Sequence, residues 1–374
     1  VNEEDIKINK LKVVELFAGI GAWGKALKKR NIPHETVYAV EFDKKTIESY
    51  NIIHNTNFEP QNITEINPSE VPDCDIVFYS PPCQAFSVAG RQEGFADQRG
   101  TLFFDALRII QVKKPKYAIM ENVKGLTGKK FEFEFDTMLQ LLEQEGYKNY
   151  PKVLNAKDYG IPQNRERVFV VSIREDVAQE FNFPNAFDNG LRLRDLLEVN
   201  VEDKFFLSKE KTKSLLENYN NRKRKDNEPR EISFDGEGLS YCIDANYAKG
   251  ISENFVNSGR RTHIAISYSR KIGIGNEIDK AYTLNSSDWR GINRNQTQNA
   301  VLEIDKDDEY PYRIRKLTPL ECLRLMGFED KDYYKLKQNN VSNTQIYKMA
   351  GNSIVVNVIE EILENLFVHN TFLV

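Results

Sequence analysis

Four features of this sequence stand where they could do chemistry: a thiol, a strand-end acid, a pair of guanidiniums and a glycine turn. The thiol is Cys83, in Ser80-Pro81-Pro82-Cys83-Gln84. A thiolate is a strong nucleophile that can also leave again, so it suits reactions through a transient covalent adduct. The apolar run at residues 75–79 ends in two prolines. Each fixes φ and lacks an N–H, so the strand stops there. Cys83 is thereby expected on a rigid turn at a strand's carboxyl end, where open α/β sheets place ligands. A small, inert core thiol is the competing reading. The acid is Glu121, following Tyr117-Ala118-Ile119-Met120. At the tip of a strand beside the one carrying Cys83 it could share a cleft, although a solvated strand-end charge reads the same way. Arg165 and Arg167 bracket the start of another apolar strand. Alternation puts both on one face, where they could hold an anion or a base carbonyl, or line an exposed hairpin.

The glycine turn follows a first buried strand at residues 11–17, as Ala18-Gly19-Ile20-Gly21, and leads into a helix carrying Trp23, Ala26 and Leu27. With Gly24 the spacing matches a dinucleotide fingerprint, whose glycines permit a tight turn and close backbone approach. Twenty residues after Gly21, Glu41 ends a second strand. An acid there commonly holds the ribose hydroxyls of an adenosine.

These groups need a sheet to bring them together, and the chain supplies one. Strands at 37–40, 75–79 and 117–120 alternate with helical spacing at 102–112 and at Phe131, Phe135, Met138, Leu139 and Leu142. A hairpin of residues 153–159 and 167–173 follows, and the closing stretch from Ala350 to Leu366 reads as one apolar helix. A Gly-punctuated segment at 84–101, with Arg91 and Arg99, could be a mobile lid or a plain surface loop.

At 374 residues the chain has room for two domains and a full core. Its four cysteines form no C-x-x-C pair, which argues against a zinc site or a disulfide framework and fits a reducing compartment. No run is apolar enough to span a membrane and the start is acidic, so a cytoplasmic protein is expected, with no metal. The texture changes near residue 181. Residues 204–294 carry 17 Lys/Arg against 12 Asp/Glu, whereas the whole chain has a net charge of −4. A faint repeat spaces Tyr241-Cys242-Ile243-Asp244 from Tyr282-Thr283-Leu284-Asn285 by 41 residues, each copy placing Lys249 or Arg290 before a glycine. Such loops could read base edges, or form a solvated β surface. Thr318-Pro319-Leu320-Glu321 signals a helix start.

In this order the stretches resemble the cytosine-C5 DNA methyltransferases of bacterial and phage restriction–modification systems. The motifs that carry the resemblance are Phe17-Ala18-Gly19-Ile20-Gly21, Glu41, Pro82-Cys83-Gln84, Glu121-Asn122-Val123 and Gln163-Asn164-Arg165-Glu166-Arg167, followed by the stretch from Arg315 to Cys322 and by Gly351-Asn352-Ser353. The match is weak only between about residues 182 and 308, the family's variable recognition region. One departure is Asn62-Ile63, where many members have Asp-Ile against the adenine amino group; an amide oxygen can also accept that hydrogen bond.

The resemblance implies an α/β fold: a Rossmann-like S-adenosylmethionine-dependent methyltransferase domain with a smaller, β-rich target-recognition domain. Residues 1–180, completed by 340–374, would form the catalytic and cofactor-binding domain, and 181–339 the recognition domain. Cys83 would attack C6 of a flipped-out cytosine, Glu121 would hydrogen-bond N3, and Arg167 would hold O2 with Arg165 in support. Phe17, Ala18, Gly19, Ile20, Gly21, Glu41, Phe42, Asn62, Ile63, Pro82, Leu102, Asn352 and Ser353 would bind S-adenosylmethionine. Arg91, Arg99, Lys249 and Arg290 would contact double-stranded DNA. A cognate restriction endonuclease acting separately is an expected partner, and a monomer suffices. A tRNA methyltransferase with the same Cys and Glu, a silent DNA-binding regulator and, distantly, a nicotinamide dehydrogenase are the alternatives.

Overall fold

In the computed structural model the described residues are 10–82, 102–206, 208–210, 266–269, 273–277, 281–282, 300–304 and 312–368. The chain divides into two compact units. One comprises Val1–Leu154, Glu166–Asn185 and Val356–Val374; the other comprises Asn155–Arg165 and Ala186–Val355.

The first unit is built on a six-stranded sheet of order β2-β1-β3-β4-β7-β5. Its strands are β1 Leu11–Leu16, β2 His34–Val40, β3 Ile76–Tyr79, β4 Tyr117–Val123, β5 Tyr147–Asn155 and β7 Glu166–Arg174. The two-residue strand β6, Gln163–Asn164, belongs to the second unit. Strands β2, β1, β3 and β4 run parallel, and β7 is antiparallel to β4. Every residue of β3 and β4 is buried, as expected for central strands covered on both faces.

Alternation divides the core between the two faces. Val14, Leu16, Val77, Tyr79, Ala118, Met120, Val168 and Val170 pack with Phe103, Ala106, Leu107 and Ile110 of α3 (Leu102–Lys113) and Met138 and Leu142 of α4 (Glu132–Gln144). On the opposite face Trp23 of α1 (Ala22–Lys29) stacks on Phe78, with centroids 4.4 Å apart, and meets Phe169 edge-on at 6.4 Å. Helix Val356–Leu363 packs beside α1, where Lys29 and Arg30 pair with Glu360, Glu361 and Glu364.

Two sequence expectations change here. Strand β4 does not stop at Met120 but runs through Glu121 to Val123, because β7 keeps pairing with it as far as Val123 opposite Arg167. The closing segment is two helices, Asn343–Asn352 and Val356–Leu363, broken where Ser353 takes extended angles. The Ser353 carbonyl accepts from Arg165 at 2.6 Å instead of continuing a helix, and the β-branched Ile354-Val355-Val356 run gives little local reason to resume one at once.

Within the second unit the described strands pair in short ladders: Ile266–Ser269 with Gly273–Glu277, Ala300–Ile304 with Tyr312–Lys316, and β6 with Ala281–Tyr282. Helix Pro319–Leu325 starts as expected, with a capping box joining Thr318 and Glu321. Glu321 is fully buried and takes both nitrogens of the Arg315 fork at 2.9 Å.

Glu15 of β1 is buried without a cation; Tyr50 donates to it at 2.9 Å and Thr36 at 3.4 Å. Burial pushes its carboxyl up to about 7 from 4.5. The folded chain therefore holds this proton more tightly than the unfolded chain. Its favourable contribution is complete below pH 4.5 and is lost as the pH rises through about 7. Glu15→Gln should remove that slope: between pH 4.5 and 8 the variant should gain about 3 kcal/mol relative to the wild type. Urea unfolding of both proteins across that range measures the difference.

Candidate active site

The parallel register sets the site. Val40, Leu16, Tyr79 and Met120 lie in one row across the sheet. One step further along each strand come Glu41, Phe17, Ser80 and Glu121, which form the carboxyl-end lip. Cys83 follows Ser80 by three residues and lies outside the described residues, as do Arg91, Arg99, Lys249, Arg290 and the expected lid at 84–101.

Glu121 is 7% exposed, and its carboxylate meets Arg167 Nε at 3.1 Å. The next residue joins this strand to the proline turn. Asn122 Nδ2 donates to the Pro81 carbonyl at 3.3 Å, while its oxygen accepts from the Val123 N–H at 2.8 Å. Pro81 is buried and Pro82 half-buried, so the two prolines leave β3 against the Glu121 strand. The two arginines part company. Arg165 precedes β7, and its guanidinium donates to the carbonyls of Ser353 at 2.6 Å and Gly351 at 3.4 Å. Arg167, inside β7, reaches Glu121. Strict alternation fails because Arg165 lies in the bend between β6 and β7, where its N–H is held by Asn155 Oδ1 at 3.0 Å. Gln163, whose amide donates to the Leu325 carbonyl at 2.7 Å, anchors the same bend.

The glycines divide their work. Gly19 has φ +56°, and a Cβ there would meet nothing within 4 Å among the described residues. Gly21 has φ +78°, and a Cβ would run into the His54 ring and come within 2.7 Å of Tyr50. His54 Nε2 donates to the Ile20 carbonyl at 3.0 Å through the space this leaves, pinning the turn to α2 (Lys44–His54). A Cβ on Gly24 would lie 3.0 Å from Glu15 Oε1, so Gly24 sets the approach of α1 to β1. Ala18 and Ile20 turn their side chains into the core and contribute backbone to the turn.

Glu41 is held rather than simply solvated. One oxygen accepts from Gly19 N–H at 3.0 Å and the other from Asp43 N–H at 2.9 Å. Phe17 has φ +57°, a conformation rare for a non-glycine residue and often kept at functional sites. Phe42, beside Glu41, is 75% exposed. The Glu41 carboxylate, the left-handed turn at Gly19 and the exposed ring of Phe42 are groups that suit the hydroxyls and the base of an adenosine. Asn62 caps the 3₁₀ turn Ile63–Glu65; its Oδ1 accepts from Thr64 N–H at 3.2 Å and its Nδ2 donates to Glu65 at 2.8 Å. Ile63 is buried and Leu102 half-buried, both within the core that carries the turn. In the second unit Asn352 is exposed, and the buried Ser353 hydroxyl donates to the Ile354 carbonyl at 3.3 Å.

The sheet, glycine turn and strand-end acid define a Rossmann-like methyltransferase fold. Residues 11–368 match the C-5 cytosine-specific DNA methylase family, and the chain belongs to it. It is 35% identical to the orphan methyltransferase M.SPRI of Bacillus phage SPR, over 96% of this chain and 98% of that one. It is 33% identical to the type II methyltransferase M.HhaI of Haemophilus parahaemolyticus, over 97% and 96%. The methyltransferase EhMeth of Entamoeba histolytica shares the fold with a TM-score of 0.65 at 18% identity, over 96% and 99% of the two chains. A DNMT2 of Spodoptera frugiperda does so at 0.63 and 22%, over 96% and 100%. The chain is thus a DNA (cytosine-5-)-methyltransferase.

The geometry orders two glycine variants. Gly19→Ala should cost about 1 kcal/mol, the left-handed backbone term alone. Gly21→Ala adds overpacking against His54 and Tyr50 and should cost roughly 3 kcal/mol. Urea unfolding midpoints of the two variants check that order.

Proposed function

We propose that this chain transfers a methyl group from S-adenosylmethionine to C5 of a cytosine flipped out of duplex DNA, with Cys83 as the nucleophile. What supports the residue assignment best is the hydrogen bond from Asn122 to the Pro81 carbonyl. It ties the segment that leads into Cys83 to the strand that carries Glu121.

The steps follow from the chemistry of the ring. C5 of cytosine is a weak nucleophile until something adds at C6. The Cys83 thiolate forms a bond to C6, and the displaced electron pair moves through the ring towards N3. One proton bridges N3 and Glu121, so the ring becomes a neutral enamine and not an anion. S-adenosylmethionine, when bound, supplies an electrophilic methyl group. After C5 has taken the methyl, Glu121 recovers the N3 proton, the C5 proton passes to water, and its bonding pair re-forms the C5–C6 double bond as the C6–S bond breaks and Cys83 leaves as a thiolate. Arg167 fixes the Glu121 carboxylate through Nε and is the partner assigned to the cytosine O2. Arg165 acts at one remove, holding the Gly351 and Ser353 carbonyls. Flipping the base costs a few kcal/mol, which contacts to the duplex must offset.

For the methyl donor, Glu41 is assigned to the ribose hydroxyls, Phe42 to the adenine face and Asn62 to its amino group. Phe17, Gly19, Pro82 and Leu102 complete this set; Asn352 and Ser353 are assigned to the methyl donor by the resemblance alone. Arg91, Arg99, Lys249 and Arg290 are assigned to DNA. The net-basic stretch at 204–294 is assigned to reading the target sequence. A role in a restriction–modification system, beside a separate endonuclease and with the enzyme acting as a monomer, agrees with this reading. Among the described residues no helix is long and apolar enough to cross a membrane.

The test is transfer of labelled methyl from S-adenosylmethionine to duplex DNA and, in parallel, to tRNA. Label should enter duplex DNA; label in tRNA alone would refute the substrate. Cys83→Ala should bring transfer to background while duplex binding in a gel-shift assay persists, and full residual transfer would refute the nucleophile.

A further inference from the structure

The turn assigned to the adenine is gripped from a distance by one side chain. Arg108 of α3 lies 45 residues beyond Ile63, and its NH2 donates to the Ile63 carbonyl at 3.0 Å. Its NH1 donates to the Ile66 carbonyl, also at 3.0 Å. The guanidinium is itself aimed by Asp105, one helical turn earlier, whose Oδ1 accepts from NH2 at 3.0 Å and from Nε at 3.3 Å. Lys113, at the other end of the helix, donates to the Ser69 carbonyl at 3.2 Å. Two cations of α3 thus hold carbonyls along 63–69.

Packing alone does not determine how this turn is rotated. Ile63, Ile66 and Val71 are buried against α3, but apolar contact is non-directional. The carbonyls and the Asn62 cap are directional. Asn62 Oδ1 takes Thr64 N–H, and its amide nitrogen is committed to Glu65. The amide is therefore oriented relative to the turn by its own cap, while the turn is held to the sheet by the Gln61 N–H, which donates to the Glu41 carbonyl at 2.9 Å, and to α3 by Arg108. Hydrogen bonds from a charged donor are about twice as strong as neutral ones, and a planar fork fixes angle as well as distance.

We infer that Arg108 is a positioning residue for the adenine subsite: it sets the orientation in which Asn62 presents its amide oxygen to the exocyclic amino group of the methyl donor. This rests on the donor-site reading proposed above. It makes Arg108 a determinant of base selectivity without contact to the base. Asp105 acts one step further back, by restricting the guanidinium.

The probes are S-adenosylhomocysteine and its analogue with purine in place of adenine, which lacks only the amino group. Affinities for both are measured by calorimetry on the full chain. The wild type should prefer S-adenosylhomocysteine by roughly tenfold, the worth of one well-placed hydrogen bond. In Arg108→Gln that preference should fall towards unity, with affinity for the purine analogue changed less than about twofold. Asp105→Asn, which keeps the cation and loosens its aim, should show the same loss to a smaller degree. A variant that weakens both ligands equally, or keeps the full preference, would show that Arg108 only stabilises the fold and would overturn the inference. A wild type with no preference would instead remove the Asn62 assignment, and the inference with it.

Discussion

Parallel register is the constraint on which the site depends. Val40, Leu16, Tyr79 and Met120 lie in one row, and the residues that follow them become neighbours at the lip. In a sheet a slip of one residue sends every side chain to the opposite face. Here such a slip of β3 would place Phe78 where Tyr79 packs against Phe103 and would remove it from Trp23. Each face of the sheet is filled by a different helix set, so neither tolerates the exchange. The proline turn leaves β3 beside Glu121 because both faces of β3 are occupied.

What could be read in the sequence was local, and what could not was decided by remote partners. The central strands were legible as continuous apolar runs stopped by Gly or Pro, and helix Pro319–Leu325 as a Thr-Pro-x-Glu start. The end of β4 was not legible. Glu121-Asn122-Val123 looks like a strand's exit, but β7 pairs with it from more than 40 residues away. The break at Ser353 was hidden for the same reason, since Arg165 lies 188 residues earlier. The guanidiniums of Arg165 and Arg167 part because a bend separates them, and alternation cannot anticipate a bend.

The glycine spacing was legible, but the division of work within it was not. A fingerprint match says that three positions lack side chains, not which of them a ligand uses. Gly21 is required by His54 and Tyr50, and Gly24 by Glu15, so two of the three serve the fold. Of the three, only Gly19 has no neighbour among the described residues that a Cβ would meet, and its N–H is already bound to Glu41. This hydrogen bond orders the acid before any ligand arrives, which reduces the entropy lost on binding. The left-handed backbone at Phe17 is held by the same short connection, between a buried strand and a turn pinned to α2.

Buried carboxylates differ most in how completely they are satisfied, and this separates structural acids from one able to act. Glu321 is saturated: one oxygen takes Arg315 and the Glu198 N–H, the other Arg315 and the Thr318 N–H. Those donors fill about four lone-pair sites, leaving no capacity for a ligand. Such an acid can only hold structure. Glu15 lies at the other extreme: among the described residues it has no ion pair, and burial raises its pKa to about 7. It is buried among β1, β2, α1 and α2. Arg167 compensates the burial of Glu121, which stands at 7% exposure. Glu121 lies one step past the row shared with β3, beyond the end of that strand though still paired to Phe169 of β7, beside the prolines that precede Cys83. A carboxylate that must exchange a proton with a visiting base needs all three properties: enough burial to exclude water, a cation to make that burial tolerable, and an edge to meet the base. Glu121 has the burial and the cation, which supports the role proposed for it.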